Sequence, residues 1–214
     1  MTYFKIKIKL LSESIFGNGE SESSGVDVDI LKDDIGVPYF RGKTFKGKLR
    51  AEISALGEYM FCFSKNRYDK IIEGLLGKEG KFDSNTLKFS DCVISECVHD
   101  DLKYGVENYK FDKKDILNSL TEVRTFTRID ENGVPEKGSL RQARVIKKGL
   151  ILYCDVECQR NLDDIEKGIL SAGVAVLRNL GTMESRGKGN VKCSLIEKGE
   201  DVTAKYIDVL EKEA

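Results

Sequence analysis

One short run near the start most constrains the fold. Between Tyr3 and Leu11, apolar Phe4, Ile6, Ile8 and Leu10 alternate with Lys5, Lys7 and Lys9. A period of two sorts side chains onto opposite faces of an extended chain, so this segment is a half-buried strand. Two later runs repeat the pattern. Leu150 to Cys158 puts Leu152, Cys154, Val156 and Cys158 on one side, and Val191 to Ile196 turns Val191, Cys193 and Leu195 inward.

Helical spacing separates these strands. Phe45, Leu49, Ile53 and Leu56 share one face of a helix that Thr44 is placed to cap and Gly57 to end. A second short helix is expected from about Tyr68 to Leu76, stopping at Gly77, and Leu87 to Ser95 reads as a strand. Further on, Asn161 is placed as a cap, with Asp163 and Asp164 in the first turn favouring the helix dipole. Leu162, Ile165, Ile169, Ala172, Val176, Leu177 and Leu180 form that helix's buried face. Ser12 to Gly25 reads as loop. Glu122 to Ile129 and Leu140 to Ile146 read as the arms of a long protruding hairpin around Asp130-Glu131-Asn132-Gly133. The order strand, helix, strand, then strand, helix, strand gives an α+β fold. It is the ferredoxin-like (RRM-like) βαββαβ core with insertions, an arrangement used by RNA-recognition domains.

The bulk numbers narrow the class. The chain has 214 residues, 40% hydrophobic and 33% charged, as suits a soluble globular protein. No apolar run approaches the roughly 18 residues of a membrane span, and the N-terminus has no secretory segment, so a cytoplasmic protein without membrane contact is expected. Its six cysteines include no C-x-x-C pair and read as small buried apolar residues rather than zinc ligands. Net charge is −1, which excludes indiscriminate whole-surface binding of nucleic acid but not a local groove. The segment after Glu197 is rich in Glu and Asp and reads as a solvated, peripheral end.

The charges are unevenly placed. Arg41, Lys43, Lys46, Lys48 and Arg50 occur with no acid between them, inside the glycine-punctuated stretch Gly36 to Arg50. A second glycine-rich stretch, Gly181 to Asn190, carries Arg186, Gly187, Lys188 and Gly189. Glycine lets a backbone approach a ligand closely, and nearby Lys and Arg suit phosphate. Lys46 and Arg50 lie one turn apart near a helix start, where backbone amides also favour anions. A nucleotide-hydrolysing P-loop is excluded: five residues, two of them aromatic, stand between Gly36 and Gly42 where the motif needs four. Asp27, Asp29, Asp33 and Asp34 form an acidic cluster. It reads either as a soluble loop or as a place where Asp27 helps position a metal ion or a 2′-hydroxyl for attack on a phosphodiester. Phe126 on the hairpin either packs locally or stacks on a base. His99, the sole histidine, lies after a strand and far in sequence from both basic stretches.

With these pieces in order, the sequence resembles the RAMP superfamily, and specifically a backbone subunit of a type III CRISPR effector complex. The likeness rests on Gly25-Val26-Asp27, Lys32-Asp33, the element Gly36 to Arg50, Leu75-Leu76-Gly77, Leu87 to Cys92, and Arg186-Gly187-Lys188-Gly189-Asn190. It departs from the family pattern at Lys43-Thr44, where small residues are usual, and at Gly17-Asn18-Gly19, a thinned glycine cluster. The segment Glu122 to Ile146, with Arg124, Arg128, Arg141 and Arg144, resembles single-copy or divergent subunits more than the commonest ones. The resemblance implies one RAMP domain over 1–214, with an insertion at about 100–148 carrying a thumb-like hairpin. It implies binding of guide RNA and target RNA, and assembly with other effector subunits, including copies of itself. In target-cleaving members an Asp at the position of Asp27 cuts RNA with Mg²⁺ or another divalent cation; a binding scaffold without chemistry is the alternative. A guide-precursor nuclease using His99 is a third reading. The RNA-contacting set expected on these grounds is Arg41, Lys43, Lys46, Arg50, Arg124, Arg128, Arg186, Gly187, Lys188 and Gly189.

Overall fold

The structure is a computed structural model that describes residues 1–17, 26–59, 64–78, 86–128, 130–131, 133–134, 136 and 138–213. Asn18, Gly19, Gly25, Cys62, Ile129 and Asn132, on which parts of the sequence reading rest, lie outside the described residues.

The alternating N-terminal run forms β1 (Thr2–Leu10), with Phe4, Ile6 and Ile8 fully buried. It pairs antiparallel on one side with β5 (Ile151–Cys158) and on the other with β6 (Val191–Glu197). The short β2 (Lys88–Phe89) pairs with the outer edge of β5, and a two-residue β7 (Glu200–Asp201) pairs with β6. The sheet order is β2-β5-β1-β6-β7. Removing the appended β7 leaves the order and antiparallel pairing of a ferredoxin-like core, with α1 (Gly42–Leu56) and α5 (Asp164–Val176) as its two helices. They cross closely because α5 presents Gly173: a Cβ there would lie 2.2 Å from Ile53 Cγ1. Leu49 and Ile53 are fully buried in the same layer. Truncating such a side chain costs about 2–5 kcal/mol.

Insertions extend the core. After α1 comes α2 (Lys65–Leu76), and between β2 and β5 lie α3 (Glu96–Glu107), α4 (Lys113–Leu120) and a separate hairpin of β3 (Thr121–Phe126) and β4 (Arg141–Ile146). The inner end of β4 is anchored, since Ala143, Val145 and Ile146 are buried, whereas most of β3 is exposed.

Several local expectations are corrected. The first helix begins at Gly42, before Thr44, because the carboxylate of Asp91 accepts the Gly42 amide at 2.7 Å and completes the helix start from a distant segment. The last core helix is capped by Asp163 rather than Asn161. Asp163 and Glu166 form a reciprocal capping box, while Asn161 accepts a hydrogen bond from the amino terminus. That helix stops at Val176, short of Leu180. The strand expected over Leu87 to Ser95 shrinks to two residues because the Ser90 hydroxyl takes the Asp155 amide in place of a ladder carbonyl. The chain then turns Cys92 to pair with Phe40. His99 lies within α3, not after a strand, and its Nε2 is 2.9 Å from Asp33 Oδ2. The acidic C-terminal segment is no loose end: it forms α6 (Thr203–Glu213), which packs Tyr206 and Leu210 against α5 across Gly168.

Candidate nucleic-acid interface

The basic start of α1 is largely turned to internal use. Lys46 Nζ donates to the Leu87 carbonyl at 2.9 Å and sits 5.7 Å from the Phe89 ring centre. Burial, and then the charge of Arg50, pull its pKa below the usual lysine range. Arg50 donates to the carbonyls of Leu76 and Gly77 at 2.5 and 2.8 Å. Those carbonyls close the C-terminus of α2, so this guanidinium acts as a helix cap. With Asp91 on the Gly42 amide, a carboxylate already occupies the anion-favouring end of α1. Lys48 reaches the other way and pairs with Glu184 at 2.6 Å, joining α1 to the second glycine-rich stretch. The two basic stretches therefore do meet, through Lys48 rather than through Arg50. Arg41 and Lys43 remain exposed at the helix start.

The glycines of the second stretch serve chain packing as much as ligand approach. A Cβ on Gly189 would lie 2.1 Å from the Leu180 carbonyl oxygen, and its amide donates to the Glu13 carbonyl. Gly181 is likewise pressed against the Ile15 carbonyl. Gly187 differs: it has φ +73° at the end of a single 3₁₀ turn (Glu184–Arg186) and open space around it.

Glu13 organises the region. Its carboxylate accepts from Arg124 of β3 at 2.5 and 3.0 Å and also from Lys188. Hydrogen bonds from Arg124 and then Lys188 hold its pKa below the ordinary glutamate value, against the effect of burial. Arg124 and Lys188 thus tie the hairpin to the glycine-rich stretch, with Arg124 also meeting Glu122 at 2.7 Å. Sequence reasoning placed Glu13 in a loop and gave it no role. Only its partners 111 and 175 positions away reveal one.

Between the two tied segments lies a cleft of about 470 Å³, lined by Phe126, Thr127, Arg128, Glu136, Gly138, Ser139, Arg141, Met183 and Arg186. Its arginines point outward. The Arg128 side chain is 79% exposed with its Nε 3.4 Å from Glu136, and Arg141 is 69% exposed. Arg186 is exposed too. Phe126 and Met183 pack against the core and give the cleft an apolar floor.

The acidic cluster separates into distinct tasks. Asp29 is buried, accepting from Lys32 at 2.6 Å, from the Ile30 amide at 2.9 Å and from Arg144 at 3.1 Å. Burial works against its ionisation, but these hydrogen bonds and charges outweigh it and hold the carboxyl below the usual range. Asp33 closes the turn before Val37, accepting the Ile35 and Val37 amides. Asp27 is exposed beside β4, where Oδ2 accepts the Gln142 amide at 2.7 Å and Oδ1 lies 3.7 Å from Arg141. It therefore stands next to one wall of the cleft. Among the described residues no group of three or more His, Cys, Asp or Glu converges, and the Arg141 guanidinium is the cation beside the Asp27 carboxylate. His99 and its Asp33 partner lie in a different depression, with Tyr39 and Tyr153.

The RAMP superfamily model matches residues 7–192. Among solved structures, a chain in a cryo-EM structure of the type III-B Cmr-beta complex bound to cognate target RNA is similar. It superposes with TM-score 0.63 at 13% identity, covering 91% of this chain and 97% of that one. A chain of the apo-state type III-B Cmr-beta complex gives TM-score 0.66 at 15% identity, covering 92% and 98%. No curated protein matches the sequence.

Proposed function

This chain belongs to the RAMP superfamily, and from that premise we propose that it is an RNA-binding backbone subunit of a type III CRISPR effector complex. Its partners in this reading are guide RNA, target RNA, and further effector subunits or copies of itself, in the cytoplasm. The observation that carries the proposal is the cleft between hairpin and glycine-rich stretch, where Arg128, Arg141 and Arg186 face solvent over an apolar floor. Guanidinium groups matched to phosphate, beside an aromatic edge, suit a sugar-phosphate strand and read no sequence. Arg41 and Lys43 belong to the same contact set as exposed cations, while Arg124 and Lys188 shape the cleft by holding Glu13. The solved relatives support the reading by fold, and one of them was solved with target RNA.

The test is RNA affinity against salt for the Arg128→Ala/Arg186→Ala double variant in the assembled complex. Each lost phosphate contact should flatten the slope by about 0.7 log units per log unit of salt. An unchanged slope overturns the assignment.

A second reading adds cleavage of the target strand. It is favoured by Asp27 standing exposed beside the cleft and against the Gln142 amide, while Asp29 is consumed by Arg144 and Lys32. In this reading the Asp27 carboxylate, steered by the Gln142 amide, orients a 2′-hydroxyl and accepts its proton as the 2′-oxygen bonds to phosphorus, while the bond to the 5′-oxygen breaks and that oxygen takes a proton from water. Arg141 meets the charge that develops on the phosphate. Asp27→Ala in the assembled complex decides between the two. Loss of the cut opposite this subunit supports chemistry, and an unchanged cut leaves a scaffold.

A further inference from the structure

The core sheet has two unlike faces. Helices α1, α5 and α6 lie on the side where Phe4, Ile6, Ile8 and Leu10 are buried. The opposite side of β1 shows Tyr3, Lys5, Lys7 and Lys9, with Tyr3 and Lys9 exposed and Lys5 and Lys7 half-buried. Register places the neighbours: Lys7 stands between Tyr153 and Ser194, and Lys9 between Ile151 and Lys192. Val93, 43% exposed, continues the Tyr153 row at the edge of β5.

The rows differ in charge. Toward the start of β1, Lys5 is answered by Asp155 at 3.4 Å, and Tyr3 donates to the same carboxylate at 2.5 Å. Toward its end, the Lys7 and Lys9 rows bring no acid from β1, β5 or β6, and the acid that reaches them is Asp201 of β7, which accepts from Ser194 in the Lys7 row. Lys192 there also feels Asp201 of β7. Lysines two residues apart on a strand are about 6.7 Å apart, comparable to the phosphate repeat of an extended single strand. Tyr153 lies between this line of cations and the depression that holds Asp33, Asp91 and Asp155, a half-buried ring whose neighbour Lys5 stands 5.9 Å from its centre. A regular line of cations flanked by an aromatic face complements single-stranded nucleic acid more than it does a protein surface.

We propose that the open sheet face is a second RNA-contacting surface, with Lys7 and Lys9 tracking phosphates of a single strand and Tyr153 stacking on a base. The inference deepens the proposed RNA-binding role and rests on it. β6 starts directly after the glycine-rich stretch, at Val191, so the same chain segment borders the cleft and leads into this face.

The experiment is photo-cross-linking of the full chain to a short single-stranded RNA carrying 5-iodouridine, with cross-linked peptides mapped by mass spectrometry. Affinity of the Lys7→Glu/Lys9→Glu and Tyr153→Ala variants is measured alongside. Adducts on the Tyr153 peptide, with about ten-fold weaker binding on Tyr153→Ala, are the expected result. Adducts confined to Phe126 or the 183–186 turn, with both variants binding as the parent does, overturn the sheet-face site and leave the cleft standing. An absence of adducts anywhere overturns both. Loss of self-association in the Lys7→Glu/Lys9→Glu variant without RNA adducts at Tyr153 assigns the face to a second copy of the chain and overturns the proposal.

Discussion

Two cation-rich regions do opposite work here. At the start of α1, Lys46 and Arg50 are turned inward onto backbone carbonyls of Leu87, Leu76 and Gly77. At the hairpin and the glycine-rich stretch, Arg128, Arg141 and Arg186 are turned outward around a cleft. The difference lies in what stands nearby. Helix α2 ends beside α1 with unsatisfied carbonyls, and a long cation is the nearest donor for them. Among the described residues Arg128 has a single loose ion pair, with Glu136, and its side chain is 79% exposed, so its charge faces solvent. A cluster of positive charge therefore says little about nucleic acid until the acceptors that already hold it are found.

The sharpest way to break this comparison is at the foot of the hairpin, where inward and outward arginines lie three residues apart. Arg144→Met should leave the buried Asp29 with one charge fewer and cost about 3–5 kcal/mol in urea unfolding. Arg141→Met should cost less than about 0.5 kcal/mol. Equal losses would erase the distinction. The next effect is Arg50→Ala, which strips the cap from α2 and should cost about 1–3 kcal/mol. The salt slope of RNA binding should stay as it was, and a flattened slope would return Arg50 to the interface.

Acid sharpens the contrast further. Asp29 and Glu13 are both held below their ordinary pKa, so their stabilising contribution is complete above the unfolded-state values, about 3.9 and 4.3. It drains away as pH falls through the lower folded values. Asp29→Asn should flatten stability against pH in that acid range, and a curve parallel to the parent's would refute it. A modest effect is expected of Gly187→Ala: positive φ with open space around it should cost about 1 kcal/mol, from backbone strain alone. Gly189→Ala, against the Leu180 carbonyl, should cost considerably more.

Much of the fold was legible in the sequence because periodicity is a local signal. The alternation of β1, the helical face of Phe45, Leu49 and Ile53, and the inward set of β5 all stand where their spacing puts them. Val202, Tyr206 and Leu210 recur every four residues, and that signal of α6 was hidden by the surrounding acids. The starts of α1, α2 and α5 were legible to within three residues. The Gly42 cap was not, since Asp91 is 49 positions away.

The sequence by itself determined the one-sided strands, the core helices and the two basic stretches, since each depends on residues close together in the chain. Only the tertiary structure decided which cations are spent on carbonyls and carboxylates and which face solvent. The reason is range: a side chain's partner is set by whichever acceptor the fold carries to within hydrogen-bond distance. For Arg124, Lys188 and Arg144 that acceptor lies more than a hundred residues away.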